Sequence, residues 1–410
     1  MNRFNSYIAL TMAPLLLATA LSAQSTRQRL HKQEKATIQS IDQLATELSI
    51  DVAAAVSQID FETRTLDTEK LIALSVEQHL SPVIHRTGAI AQEFGQLNWE
   101  QPWESDMNRI LGFQKEKIIE KIYPVTNRQT ISIDNQYGKI TIHNWTRNEV
   151  KVTVKVRTAE NSERQAQEAL DRVRIDQSKS EDNISFKTHI DSGNSNWWSL
   201  LTSGAADRAL RIDYDVYLPK GNDLALANRY GAIELADREG NVALSVSYGS
   251  LRAGHLNGQD NSLLITYSKA ELEYLNEGDI AVRYGGFTLS EAEKLTLSLS
   301  YTSGSEIGKV NREADISLRY SGGFKMGLGP DIQKANVAAS YSNVSIEPVT
   351  DAAFNFNVAI SYGGFDYDRS RINISSSSEN NTSKSYSGYW NKATGNAVSV
   401  SSRYGAVSLK

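Results

Sequence analysis

From Ile131 to the end of the chain, apolar and polar residues alternate in short runs, and the runs repeat. The clearest copy places Leu224, Leu226, Tyr230, Ile233 and Leu235 on one face, with Gly231 following the tyrosine. Others are built around Tyr137-Gly138, Tyr248-Gly249, Tyr284-Gly285, Tyr320-Ser321, Tyr362-Gly363 and Tyr404-Gly405. A typical unit has apolar residues four and two positions before Tyr, at Tyr itself, and three and five positions after it. Alternation therefore holds up to Tyr and resumes afterwards with its parity shifted by one. A one-residue shift turns strand side chains to the opposite face. The same face stays buried only if the chain bends at that point. The pattern predicts strand, corner, strand, turn, with the Gly or Ser after Tyr as the residue of the bend, Gly taking positive φ without steric cost. The Tyr ring is expected to stack at the corner.

The anchoring tyrosines from Asn222 onward are Tyr230, Tyr248, Tyr267, Tyr284, Tyr301, Tyr320, Tyr341, Tyr362 and Tyr404, mostly 17 to 21 residues apart. The gap before Tyr404 is two units long, which points to Tyr386 as an anchor displaced by the Ser/Asn-rich stretch 375–387, expected to protrude as a mobile loop. Units this short cannot bury their own apolar face, whereas stacked units can. The fold expected is mainly β: a single-stranded β-helix, or β-solenoid. An antiparallel sandwich does not predict the fixed register of Tyr, small residue and parity shift. A transmembrane barrel needs an apolar outer face, but the positions before Tyr carry Arg229, Ser247, Arg283, Ser300, Arg319 and Arg403. The turns between units are expected at 237–241, 276–279 and 311–313, with Asp237, Asp279, Asp315 and Asp366 bonding backbone there.

Upstream the period is different. Ile41, Leu44, Leu48, Val52, Ala55 and Ile59 recur three and four residues apart, as on an amphipathic helix. Further helical pieces are expected at 67–81, 84–94 and 106–122. The stripe suits packing on its own neighbours better than a coiled coil, being only about three heptads long. Between Ile131 and Pro219 the first repeat copy is joined by strands at 150–156, 184–190 and 210–218, a helix at 162–173, and a polar Trp-containing loop at 191–206. This stretch reads as an inserted α/β elaboration covering one end of the array. The organisation expected is a signal peptide at 1–23, an N-terminal α-helical region at 24–121, the first coil with its α/β insert at 122–221, and the repeat array at 222–410.

Composition narrows the picture. The 410 residues have a mean hydropathy of −0.40 and a formal net charge of −5, which gives no electrostatic case for nucleic acid. Arg3, the uncharged apolar run 7–21 and the small residues up to Ala23 read as a secretory signal cut after Ala23. No later stretch is long and apolar enough to cross a bilayer, so no transmembrane segment is expected after cleavage. With no Cys, disulfides, thiolate metal sites and a Cys nucleophile are excluded, and stability must come from burial and backbone pairing.

The repeated Tyr-Gly units behind a signal peptide resemble the DUF4097 family of bacterial adhesin-like proteins, common in Bacteroidetes, over 131–410. That resemblance implies a β-solenoid without established catalytic residues; some relatives are linked to envelope-stress sensing. It does not reach the helical N-terminal region.

Catalytic and cofactor signatures are missing: there is no nucleophile elbow, zinc-protease motif, phosphate loop or dinucleotide fingerprint. His79 and His85, with Glu77 and Glu93, are the only local cluster of metal-type ligands, and they lack a recognised ligand spacing. No cofactor and no catalytic residue is expected. The surface to watch is the strip Arg229, Arg283, Arg319 and Arg403 beside the tyrosines, able to contact glycans or acidic polymer, against the plainer reading of a solvated face that discourages edge aggregation. The leading function is a non-enzymatic exported scaffold for binding or adhesion, with a protein or glycan partner at the cell envelope. A regulatory role in envelope stress through the helical N-terminus is the alternative, and a carbohydrate-active β-helix enzyme the third. Self-association through the bare last strand, 407–409, is also expected.

Overall fold

The computed structural model describes residues 113–191 and 209–410. The expected signal peptide, the helices of 24–112, the His79/His85 cluster and most of the Trp-containing loop lie outside the described residues. The described chain forms one open sheet of 24 strands with a single short helix.

The first strand, β1 (Phe113–Pro124), falls where a helix was expected. Ile118, Ile119 and Ile122 mimic helical spacing, but alternate residues of the segment pair antiparallel with β4 (Glu149–Glu160), and Ile119 and Tyr123 pack on the core. Between them, β2 (Thr130–Gln136) and β3 (Ile140–Asn144) flank Tyr137 as the first repeat unit. Helix α1 (Glu163–Asp171) begins at Ser162, whose hydroxyl accepts from the Gln165 N–H at 3.3 Å, an N-cap satisfying one of the helix's unpaired donors. The insert is completed by β5 (Val173–Lys179), β6 (Asn183–Ile190) and β7 (Ala209–Leu218). Its strand β6 stacks below β2, and β7 below β3, so the insert covers that end of both ladders.

The next units are β8 (Leu224–Arg229) with β9 (Ala232–Leu235), and β10 (Val242–Ser247) with β11 (Ser250–Leu256). Strand β12 (Asn261–Thr266) precedes Tyr267. Then β13 (Lys269–Arg283), β14 (Gly286–Ser300) and β15 (Glu306–Arg319) each run from one corner to the next. The turns expected at 276–279 and 311–313 are therefore parts of continuous, paired strands, and Asp279 and Asp315 stand on strands. Asp237 does sit in a turn, its Oδ1 accepting from the His255 N–H at 3.0 Å. Strands β16 (Phe324–Leu328), β17 (Lys334–Ser340), β18 (Val344–Pro348), β19 (Phe354–Ser361) and β20 (Phe365–Tyr367) continue the array. The chain ends with β21 (Ile372–Glu379), β22 (Ser383–Trp390), β23 (Ala397–Arg403) and β24 (Val407–Leu409).

Strands before Tyr pair in parallel and in register with one another, and strands after Tyr do the same. Inward residues of both ladders interleave as one apolar core, from Ile131 and Ile140 to Val407 and Leu409. At one end Arg238, fully buried, reaches Asn144 Oδ1 and the Pro219 and Asn222 carbonyls, each at 2.8 Å, and holds the turns to the first unit.

Stacking order departs from chain order at the far end. The last unit, β23–β24, lies between β17–β18 and β19–β20: β23 pairs with β17 and β19, and β24 with β18 and β20. Val407–Leu409 is thus not a bare edge, which corrects the place given to self-association. The Ser/Asn-rich stretch is not a loop either. It forms the hairpin β21–β22, whose second strand pairs antiparallel with β19. Tyr386 is no corner residue: it is buried opposite Val358 and donates to Glu379 Oε1 at 2.6 Å.

Candidate functional site

The corners build the most regular feature of the molecule. Ten tyrosines stack in the order Tyr137, Tyr230, Tyr248, Tyr267, Tyr284, Tyr301, Tyr320, Tyr341, Tyr404 and Tyr362. Their ring centroids are 4.7 to 5.2 Å apart and successive rings are within 18° of parallel. The N–H of each corner tyrosine donates to a backbone carbonyl, of the neighbouring unit in nine cases, as from Tyr284 to Ser300 O at 3.1 Å and from Tyr404 to Ser361 O at 2.9 Å, and of Thr382 in the hairpin for Tyr362.

The bend lies one residue earlier than glycine chemistry suggests. All ten tyrosines have φ between 49° and 65°, in the left-handed region, while the glycines after them do not. Those glycines are required for a different reason. A Cβ on Gly231 would lie 1.9 Å from the Gly138 carbonyl oxygen, and on Gly285 2.0 Å from that of Ser268. Gly138, Gly249, Gly363 and Gly405 are packed as tightly, between 2.0 and 2.2 Å. The small residue permits close stacking of corner on corner; the tyrosine takes the conformation. Polar residues two positions before Tyr tie some corners: Asn228 Nδ2 donates to the Gly138 and Ala232 carbonyls at 2.8 and 2.9 Å, and Ser402 Oγ to Gly405 O at 2.9 Å. Burial raises the phenols of Tyr137, Tyr284 and Tyr320, and pushes Tyr341 up to about 12. These hydroxyls stay protonated donors at neutral pH.

Stacking closes most ring faces. A sugar or aromatic ligand therefore meets ring edges and hydroxyls along the ladder. Beside it runs a second row, the residues just before each Tyr, paired in register as Gln136, Arg229, Ser247, Thr266, Arg283, Ser300, Arg319, Ser340, Arg403 and Ser361. All four arginines are exposed, and the hydroxyl residues between them are partly covered. Arg403 lies 5.3 Å over the Tyr404 ring. None of the four arginines has a carboxylate partner among the described residues. Other arginines are committed: Arg157 and Arg211 to Asp213, Arg174 to Asp176, and Arg371 to Asp368.

Two constellations escaped sequence reading. His143 Nε2 lies 2.6 Å from Asp215 Oδ1, and the His143 ring stacks on Tyr217 at 4.5 Å. The partners are distant in sequence and meet only through β3–β7 pairing. Asn311 Nδ2 donates to both Glu291 and Glu293 at 2.7 Å, and Glu291 also pairs with Lys309 at 3.1 Å. The Asn311 bond, with Lys309, holds the Glu291 carboxyl below its ordinary range, opposite to the raised value a general acid needs. Among the described residues, no group of three or more His, Asp and Glu is arranged to hold a metal ion, and no helix is long and apolar enough to cross a membrane.

No family model matches the chain, and no curated protein matches it. Several solved structures are similar to it. A putative cell adhesion protein from Clostridium sporogenes is 14% identical, covering 72% of this chain and 99% of that one, with a TM-score of 0.20. A putative adhesin from Bacteroides fragilis is 8% identical over 72% and 97% of the two chains, with a TM-score of 0.30. A putative lipid binding protein from Parabacteroides distasonis is 10% identical over the same shares, with a TM-score of 0.28. None of the three is named as an enzyme, and likeness at this level bears on neither ligand nor activity.

Proposed function

We propose that this chain is an exported, non-enzymatic envelope protein whose stacked units form a single-stranded β-solenoid, and that it binds its partner along the Tyr/Arg edge. The observation that carries this reading is the row Arg229, Arg283, Arg319 and Arg403. It is four exposed guanidiniums with no carboxylate partner among the described residues, aligned in register along the stack. Exposed charges scattered for solubility do not need such alignment, whereas a ligand running along the stack does. The carboxyls with altered titration support binding over hydrolysis: Glu163, Asp176, Glu271, Glu291 and Asp368 are all held low. A β-helix glycosidase needs one carboxyl raised beside another. The Tyr-corner repeat is the ground for placing the chain in the DUF4097 family, and the run before Ala23 is the ground for export.

The test is retention of the labelled full-length mature chain on bacterial envelope preparations, comparing wild type with the fourfold variant Arg229→Ser, Arg283→Ser, Arg319→Ser, Arg403→Ser. Loss of retention with an unchanged circular dichroism spectrum is expected. Equal retention of both proteins would overturn the assignment of the edge.

A further inference from the structure

The Arg row has a period that chain order hides. Along the stack, Arg283, Ser300, Arg319, Ser340, Arg403 and Ser361 alternate strictly, guanidinium and hydroxyl. In chain order the same positions run Arg283, Ser300, Arg319, Ser340, Ser361, Arg403. Insertion of the last unit between its two predecessors completes the alternation. Successive corners are about 5 Å apart, so the charges recur about every 10 Å.

The ground on either side is low. Three residues before each Tyr stand Ala281, Ser298, Ser317, Ala338 and Ser401, and two residues after stand Gly286, Ser303, Gly322, Asn343 and Ala406. Neither flanking row carries a carboxylate over this stretch. The nearest acids on the preceding strands, Asp279 and Asp315, lie four residues from Arg283 and Arg319. That is about 13 Å along the strand, beyond a Debye length of about 8 Å at physiological salt. A rod-like ligand can therefore lie along the corner and meet one guanidinium on every second unit, with Ser and Tyr hydroxyls between.

We propose that the ligand of this edge is a linear acidic polysaccharide carrying one carboxylate per disaccharide. The proposal rests on the edge being the binding surface and adds the class of ligand. Charge density selects against denser polyanions: duplex DNA carries a charge about every 1.7 Å, far closer than these arginines can match. The hydroxyls between the arginines both donate and accept, as uncharged sugar units require. Closed ring faces direct recognition to these hydroxyls and away from stacking on the sugar. Repetition lets individually weak contacts sum along one chain.

The experiment measures binding of the full-length mature protein to hyaluronate, which has one carboxylate per disaccharide, to polygalacturonate, which has one per sugar, to neutral dextran and to duplex DNA. Hyaluronate is expected to bind most tightly. Each of Arg283→Ser, Arg319→Ser and Arg403→Ser should weaken it by about three- to five-fold, the scale of an exposed ion pair. The conservative Arg319→Lys should keep most of the affinity. Binding to polygalacturonate or DNA as tight as to hyaluronate would overturn the proposal, showing only general attraction of polyanions. Failure of wild type to bind any of the polymers would overturn it too. If the fourfold Arg variant still lost envelope retention, the edge would stand with another ligand. If retention were unchanged, both readings would fall.

Discussion

Ten tyrosines in a left-handed conformation raise a question of balance that Tyr284→Gly answers directly. An L-residue in that region costs about 1–2 kcal/mol, which glycine would recover. Tyr284 has φ 55° and stacks on Tyr267 at 4.7 Å and on Tyr301 at 5.0 Å, with interplanar angles of 4° and 7°. Each such pair is worth about 0.5–1.5 kcal/mol beyond burial. The half-buried ring removes roughly 100 Å² from water, about 2.5 kcal/mol. Glycine also adds about 0.5–1 kcal/mol of backbone entropy to the unfolded chain. The losses exceed the relief, and Tyr284→Gly should destabilise by about 2–5 kcal/mol. Companion variants separate the terms. Tyr284→Phe keeps the ring and should be nearly neutral; Tyr284→Asn loses the ring but tolerates the conformation; Tyr284→Val loses the ring and keeps the strain, and should be worst. Urea unfolding followed by circular dichroism gives the ranking, with whole curves compared because stacked repeats need not unfold in one step. A Gly variant as stable as wild type would refute the reasoning, since strain would then equal all that stacking contributes.

Three further outcomes are expected. Gly285→Ala places a methyl group 2.0 Å from the Ser268 carbonyl oxygen and should lower stability by about 2–4 kcal/mol, checked by the same denaturation. An unchanged midpoint would show that the corners can separate freely. The raised phenols make the fold sensitive to alkali: Tyr341 and Tyr386 are pushed up to about 12 from 10.0, Tyr341 chiefly by burial and Tyr386 by its bond to Glu379. Their contribution is complete below pH 10.0, the midpoint at which the unfolded phenol ionises, and is lost as pH rises through about 12. Phenolate absorbance should therefore lag that of free tyrosine and rise together with loss of β-sheet signal. Ending the chain after Gly395 removes the intercalated unit, and hydrogen exchange should show residues 354–390 losing protection while 224–348 keep theirs.

The repeat was legible because each unit carries the same signal: alternation, Tyr, parity shift, alternation. Inward Leu244, Val246, Leu251 and Ala253 are buried as that pattern requires. What failed was the assignment of cause within the corner. Gly follows Tyr at six of the ten corners, which draws the positive φ to the glycine; the constant residue is Tyr, and Ser268, Thr302, Ser321 and Ser342 at the other four corners are the signal that the residue after it need only be small. Strand β1 was misread because its three isoleucines fit either period and only one face of that strand packs on the core. The Ser-rich hairpin was misread for a related reason: β21 is exposed over most of its length, and the inward residues that hold the hairpin are Tyr386 and Trp390 on β22.

Stacking order was illegible on more general grounds. A parallel ladder joins equivalent positions, and all units present nearly the same apolar residues at those positions, so the ladder accepts any order of units. Order must be decided by the ends. Here β22 pairs antiparallel with β19, which commits the unit 354–367 to being outermost in the pre-Tyr ladder. The final unit, reached only after that hairpin, then has one place that leaves it paired on both sides: the gap between β17–β18 and β19–β20. Filling it buries Val398, Val400, Val407 and Leu409 and removes the free edge a terminal strand would otherwise present. The same insertion sets Arg403 two corners from Arg319, between Ser340 and Ser361. A choice driven by edge protection thus also fixes the spacing of the charged row. The row therefore cannot be read from the linear sequence, although each of its residues can.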